Sequence, residues 1–267
     1  MLVIKVGGGK QMRWDYVCED LKARIDTGEK IIVVHGASEV RDEIAEKMGL
    51  STKTVLSPSG FSSVYTDKDA LDIFLMAYCG VVNKKIVAQM QSYGINAVGL
   101  SGVDGKLWQA KAKPNLMIKE EGKTKLIRDN LTGRVEKINT KLLHVLVQND
   151  FVPVISAPAI SFENEIVNTD NDWATAVTAG SLQAKEIIYL FEAEGLLKNF
   201  SDKSSVIGHI DKNNIDEFMN SAEGRMKKKL LGVKKAFELG VEKIYFGDGR
   251  IKNPIKSALE GKGTIIY

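Results

Sequence analysis

With 267 residues, 44% of them hydrophobic, the chain has enough apolar material for one large core or two moderate ones, and we expect two lobes sharing one continuous sheet. A formal charge of +3 excludes a surface built throughout for nucleic acid, and no apolar run approaches the roughly 18 residues that a membrane span needs. Cys18 and Cys79 show neither zinc spacing nor a disulfide framework, and the N-terminus lacks a signal peptide, so a soluble, cytoplasmic protein is expected.

Leu2 to Val6 is a short β-branched run holding one charge, Lys5. It reads as a buried strand that delivers an ammonium to the carboxyl edge of a sheet. Gly7, Gly8 and Gly9 follow at once. Without Cβ atoms, their N–H groups can turn inward on a phosphate while the neighbouring cation neutralises its charge. The run is neither a Walker loop nor a dinucleotide fingerprint, and the plainer alternative is a glycine turn that merely ends a strand. Trp14 to Ile25 has helical spacing at Val17, Leu21 and Ile25. Ile31 to Val34 then reads as a second buried strand, breaking at His35-Gly36-Ala37-Ser38 and opening a helix at about Glu39. That places free N–H groups at a positive helix end, a second anion site. Strand alternating with helix implies a parallel sheet.

From Thr66, the residues Leu71, Phe74, Leu75, Tyr78, Val82 and Ile86 mark a long helix that is interrupted by Gly80 and ends near Gly94. Such a stripe reads as core or dimer seam. Asn96 to Gly102 is another strand and turn, and Asp104-Gly105 could turn a hairpin. Between Lys106 and Arg128, seven basic residues stand against two acids, with Glu120 to Lys123 as a turn between alternating strands. This is either a solvated hairpin or an electropositive arm that meets an acidic macromolecule. Lys141 to Gln148 is a short amphipathic helix leading into a buried strand at Phe151 to Ile155. His144 on that helix, and His209, read as packed or half-exposed core residues rather than ligands. The cluster Asn168, Asp170, Asn171 and Asp172 precedes a helix of small residues and exceeds what capping needs. Ile187 to Leu190 is a strand, Phe191 to Gly195 a loop, and Asn214 to Asn220 a helix. Gly224 to Gly232 begins a helix on which one of Lys228 and Lys229 can turn toward a cleft. A strand within Val241 to Gly249, a helix and an edge strand at Gly261 to Ile266 close the chain.

Taken in order, Lys5-x-Gly7-Gly8-Gly9, His35-Gly36-x-Ser38, Asn168 to Asp172, Gly224-x-Met226-x-x-Lys229 and Gly261-x-Gly263-Thr264 resemble the amino acid kinase family nearly end to end. Within it the likeness is to the acetylglutamate kinase group. Tyr78 to Lys85, Ser161 to Asp172 and Gly224 to Lys229 further resemble members that phosphorylate 2-aminoadipate held on an amino-group carrier protein in lysine biosynthesis. Related members act on carrier-bound glutamate for arginine. The resemblance implies an α/β fold, an open αβα sandwich around a mainly parallel sheet of about eight strands. Residues 1–172 would form a lobe that binds the acceptor carboxylate and seams a homodimer, and residues 173–267 a lobe that binds ATP.

The implied reaction is ATP-dependent formation of an acyl phosphate, with Mg2+ riding on the ATP phosphates and no metal held by the protein itself. By the same resemblance Lys5 and Lys229 flank the transferred phosphoryl group, with Asp172 between them. Gly7, Gly8, Gly9, Gly36 and Ala37 would bind phosphate. Ser38, Val64, Tyr65, Asn168 and Asp170 would bind the acceptor, and Phe191, Glu192, Gly195 and Met226 the nucleotide. The chain departs from the family pattern at Ala37, where more glycine is usual, and at Phe191-Glu192-Ala193, where Thr-Asp-Val is usual. It also has Val64 where an arginine fork would pair with a carboxylate. The basic stretch Lys106 to Arg128 fits a small acidic carrier as partner. The alternatives are a kinase of free N-acetylglutamate and a non-catalytic nucleotide- or anion-binding relative.

Overall fold

The structure, a computed structural model, describes residues 1–198, 202, 205–221 and 224–267. The N-terminal part runs β1 (Leu2–Val6), α1 (Trp14–Asp26), β2 (Ile31–His35), α2 (Ser38–Lys47), β3 (Thr54–Leu56) and β4 (Ser62–Val64). Next come α3 (Lys68–Phe74), a π-helical stretch Leu75–Val82, α4 (Asn83–Ser92), β5 (Ala97–Gly102), β6 (Trp108–Ala112), β7 (Leu116–Glu120), β8 (Lys123–Ile127) and β9 (Gly133–Ile138). The remainder is α5 (Thr140–Gln148), β10 (Val152–Ser161), β11 (Ile166–Val167), α6 (Asn171–Ser181), β12 (Glu186–Phe191), β13 (His209–Ile210), α7 (Ile215–Ser221), α8 (Gly224–Glu238), β14 (Lys243–Asp248), α9 (Pro254–Leu259) and β15 (Thr264–Ile266).

The central strands are apolar on both faces, so the sheet they form must be covered on both sides. In β1, Leu2, Ile4 and Val6 pack with Val17 and Leu21 of α1, Met90 of α4 and Ile255 of α9. Val3 faces the other way, into a core with Leu143 of α5, Ala176 of α6 and Leu230 of α8. This gives an αβα sandwich. Because side chains alternate along a strand, Lys5 lies on the same face as Val3, beneath α6 and α8.

Among the described residues the main sheet has eleven strands rather than about eight, in the order β13-β15-β14-β12-β1-β2-β10-β6-β9, with β5 and β11 also paired to β10. The surplus comes from short strands such as β11 and β13, two residues each, too brief for any periodic signal. A separate four-stranded sheet, β4-β3-β7-β8, carries part of the basic stretch. Asp104-Gly105 does not turn a hairpin. It opens a single 3-10 turn, Asp104–Lys106, and the strands on either side, β5 and β6, both run parallel to β10. Nor is β15 an edge, since it pairs antiparallel with β14 and parallel with β13. Gly80 does not break its helix. The chain continues through it in wider π turns. No helix among the described residues is long and apolar enough to cross a membrane.

One buried carboxylate ties the two ends of the chain together. Asp20 on α1, 6% exposed, accepts hydrogen bonds from Ile255 N at 2.7 Å and Lys256 N at 2.8 Å. These are free N–H groups of α9, whose own N-cap residue Asn253 makes no side-chain cap bond. Asp20→Ala leaves two buried donors unpaired and is expected to lower unfolding free energy by about 2 kcal/mol. Urea denaturation should show a lower midpoint at unchanged slope, and an unshifted midpoint would refute the cap.

Candidate active site

The site begins with an alternation and a helix end. Lys5 points from β1 to the α6 and α8 face, and Asp172 lies in the first turn of α6, which Asp170 caps by accepting from Trp173 N at 2.9 Å. Lys5 Nζ stands 3.1 Å from Asp172 Oδ1, and Lys229 Nζ of α8 donates to Asp172 Oδ2 at 3.0 Å. Lys5 is 7% exposed and Asp172 9%. Burial alone would raise the Asp172 pKa, but Lys229 and Lys5 outweigh it and hold the carboxyl well below the usual range. Burial lowers the Lys5 pKa; Asp172 opposes this shift and Lys229 adds to it. Lys229 Nζ also lies 5.5 Å from the ring centroid of Phe191. Two ammonium groups and one carboxylate thus share a buried space with one net positive charge.

Beside them the turns after β1 and β2 cross at van der Waals contact. A Cβ on Gly8 would overlap Ala37 N and lie 2.5 Å from Gly36 C, and one on Gly36 would lie 2.9 Å from Gly8 N. Only glycine permits that approach. Among the described residues, the N–H groups of Gly8, Gly9 and Ala37 donate no hydrogen bond. Gly7 N, in contrast, donates to Leu190 O at 2.8 Å. Ala37 takes no room from the crossing, because its methyl packs into a cluster with Phe74, Ala77, Tyr78 and Ala157. Glu192 reaches this turn as well: its carboxylate accepts from Gln11 N at 2.5 Å and fills the space where a Gly9 side chain would go.

Among the residues expected to bind the acceptor, Asn168 Nδ2 donates to Thr66 Oγ1 at 3.0 Å while its Oδ1 is buried without a partner. Thr169 Oγ1 and Asn171 Oδ1 are likewise buried and unpartnered. Such orphaned polar atoms are rare in a core and are expected where a ligand completes them. Ser38 opens α2 at the crossing. Val64 packs against the cluster that holds Phe74 and Tyr78, and Tyr65 N donates to Lys53 O at 2.8 Å. Among the residues expected to bind the nucleotide, Phe191 ends β12 and packs edge-on against Phe246 at 5.4 Å. Thr264 Oγ1 accepts from Leu196 N at 2.8 Å, which joins the Gly-x-Gly-Thr motif to the loop holding Gly195. Met226 is buried in the α8 core.

Several contacts went unnoticed in the sequence. Arg250 binds Asp248 and Glu194, bracing the ends of β12 and β14, and Lys228 lies 3.7 Å from Asp170. His35 is fully buried and bonded to Asn83; the sequence places it at the end of an apolar strand and in the His35-Gly36-x-Ser38 motif, and neither signal points to Asn83. His144 and His209 are exposed rather than packed, because each sits on the outer side of its element. The basic stretch divides between two sheets. Lys111 lies on β6 of the main sheet, while Lys125 and Lys53 both hold Glu120 on the smaller sheet.

A profile of the amino acid kinase family matches residues 1–248. The chain is 43% identical over 266 residues to the [LysW]-aminoadipate kinase of Deinococcus radiodurans, covering 100% of this chain and 91% of that protein. It is 39% identical over 268 residues to the [LysW]-aminoadipate kinase of Thermus thermophilus, covering 100% of both. The carbamate kinase of Giardia shares the fold, with a TM-score of 0.68 at 14% identity over 99% of this chain and 97% of that one.

Burial depresses the His35 pKa from 6.5 to about 4, with the nearby Lys5 and Lys84 charges acting in the same direction. Between these values the unfolded chain binds the proton and the folded one does not, so acid should destabilise the protein by at most about 1.4 kcal/mol per pH unit as pH falls from 6.5 toward 4. In His35→Gln this part of the slope should vanish, measured as the difference in urea midpoints between the two proteins across that range. Parallel pH profiles would refute it.

Proposed function

This chain belongs to the amino acid kinase family, and we propose that it transfers the γ-phosphoryl group of ATP to the side-chain carboxylate of 2-aminoadipate carried on a small acidic carrier protein. The observation that carries this reading is the convergence of Lys5 and Lys229 on Asp172 beside two glycine turns whose N–H groups are free. A carboxylate acceptor is ionised at neutral pH, so its attack needs no general base. What it needs is alignment and cancellation of charge.

In this reading an acceptor oxygen attacks the γ-phosphorus in line with the bond to the β-phosphate oxygen. As the new P–O bond forms, the old one breaks and its electron pair leaves with ADP. Lys5 and Lys229 flank the group in transit, and Asp172 holds both ammonium groups in place. Gly8 and Ala37 offer N–H groups to its oxygens, and Asn168 Oδ1 takes a donor from the acceptor. Residues 1–172 supply the acceptor side and residues 173–267 the nucleotide side, where the Phe191 to Gly195 loop and Thr264 line the approach.

The orphaned polar atoms and the glycine crossing fit a phosphate-bearing ligand. Mg2+ would arrive on the nucleotide phosphates, where it would neutralise part of their charge. The carrier would meet the smaller sheet, where Lys119 and Lys123 are exposed beside the Lys53, Glu120 and Lys125 group.

Lys5→Ala or Lys229→Ala removes one aimed donor and is expected to lower kcat by about 100- to 1000-fold, roughly 3 to 4 kcal/mol. The rate is read with ATP, Mg2+ and the carrier-bound acid in the presence of hydroxylamine, which traps an acyl phosphate as a hydroxamate. Wild-type rates in either variant would sink the assignment. Added salt should depress kcat/KM for the carrier-bound acid far more than for a free acid analogue. Equal sensitivity would argue against an electrostatically steered carrier.

A further inference from the structure

A chain of hydrogen bonds runs from the π-helical stretch to the glycine crossing. Asn83 is 1% exposed and opens α4 where the wider turns end. Its Nδ2 donates to Val154 O at 3.0 Å and lies 3.0 Å from His35 Nε2. Lys84 Nζ donates to Asn83 Oδ1 at 3.1 Å, which fixes which end of the carboxamide is oxygen. A Cβ on Gly99 would overlap that oxygen, so glycine is what leaves room for it. With Nδ2 as a donor on the His35 side, Nε2 must accept, and the ring proton is on Nδ1. Nδ1 lies 3.2 Å from Gly36 O. The backbone oxygen of His35 in turn accepts from Asn171 Nδ2 at 3.1 Å, one residue before Asp172.

We propose that His35 and Asn83 are a positioning pair for phosphoryl transfer: Asn83 selects the Nδ1–H tautomer of His35, and that N–H holds the Gly36 carbonyl so that the Ala37 N–H faces the phosphoryl group. The step from carbonyl to N–H follows from peptide geometry. In a planar trans peptide the C=O of Gly36 and the N–H of Ala37 point to opposite sides, so anchoring one aims the other. Ala37 N lies against Gly8, where the two turns meet, and makes no hydrogen bond of its own among the described residues. Neither His35 nor Asn83 touches substrate. They act through the backbone of the crossing and, by the His35 carbonyl, through Asn171.

The proposal rests on the phosphoryl-transfer reading of the site, and two measurements separate their fates. In the wild-type protein, 15N NMR of the histidine rings should show His35 with its proton on Nδ1. A proton on Nε2, or an imidazolium at neutral pH, would overturn the pair without any assay of turnover. Asn83→Ala and His35→Gln, assayed well below their melting temperatures, should each lose on the order of 10- to 100-fold in kcat with KM for both substrates little changed. The double variant should be no worse than either single one. His35→Asn, whose amide can still reach Gly36 O, should recover part of the loss. A folded Asn83→Ala with wild-type kcat would overturn the proposal while leaving the function intact. If Asn83→Ala does not fold, Gly99→Ala displaces the same carboxamide and must show the same selective loss of kcat. An inactive wild-type protein would overturn the phosphoryl-transfer reading, and this proposal with it.

Discussion

The Asp172 carboxylate, set between two ammonium groups that water scarcely reaches, is the interaction on which the rest of the site depends. Two cations gathered on one carboxylate repel, and Lys5 is buried while Lys229 is only partly exposed. A single anion between them makes the arrangement tolerable, and the two ammonium groups in turn hold the Asp172 pKa down against the opposing effect of burial. The fold supplies this with few parts. Strand alternation turns Lys5 toward α6, the first turn of α6 presents Asp172 at a helix end that favours negative charge, and α8 packs closely enough to bring in Lys229. A Cβ at Gly232 would lie 3.1 Å from the Asp172 backbone, so the approach of α8 to α6 itself depends on a glycine.

The second constraint is the backbone crossing at Gly8 and Gly36. Parallel pairing of β1 with β2 puts Val6 beside His35, so the chains leave the sheet side by side and their turns meet. Contact that close leaves N–H groups without internal acceptors, a cost that is offset when a ligand's oxygens complete them. The lysines and the crossing are therefore complementary: one contributes charge without direction, the other direction with little charge.

Much of this was legible in the sequence, and the parts that were not share a cause. Lys5 interrupts an apolar strand just before three glycines, and Asp172 follows a cap and begins a helix of small residues. Each is a local pattern with a local meaning. The pairing of His35 with Asn83 joins a strand end to a helix start far along the chain, and no periodicity reports it. Asp104-Gly105 has the chemistry of a turn, but chemistry alone does not say whether the next strand runs back beside the last one or onward to pair with β10. The basic stretch looks continuous only until β6 joins the main sheet and β7 and β8 the smaller one. Ala37 looked like an intrusion where glycine was expected, yet its methyl points into a hydrophobic cluster, because the crossing needs the missing Cβ at Gly8 and Gly36 and not at the residue after them.

The charge count explains why the arrangement stays short of full balance. Two lysines against one aspartate leave one positive charge, and the lowered pKa of Lys5 shows that the surplus is held against the cost of burial. A second carboxylate would neutralise the space and stabilise the fold, but it would also repel any phosphoryl group arriving there. In the proposed reaction the group in transit carries its charge on oxygens between donor and acceptor, and the surplus is what it meets. Electrostatic stabilisation of this kind works because the charges are already in place and need not reorganise. The same surplus that costs the fold stability is thus what makes the site complementary to a phosphate on its way from one oxygen to another.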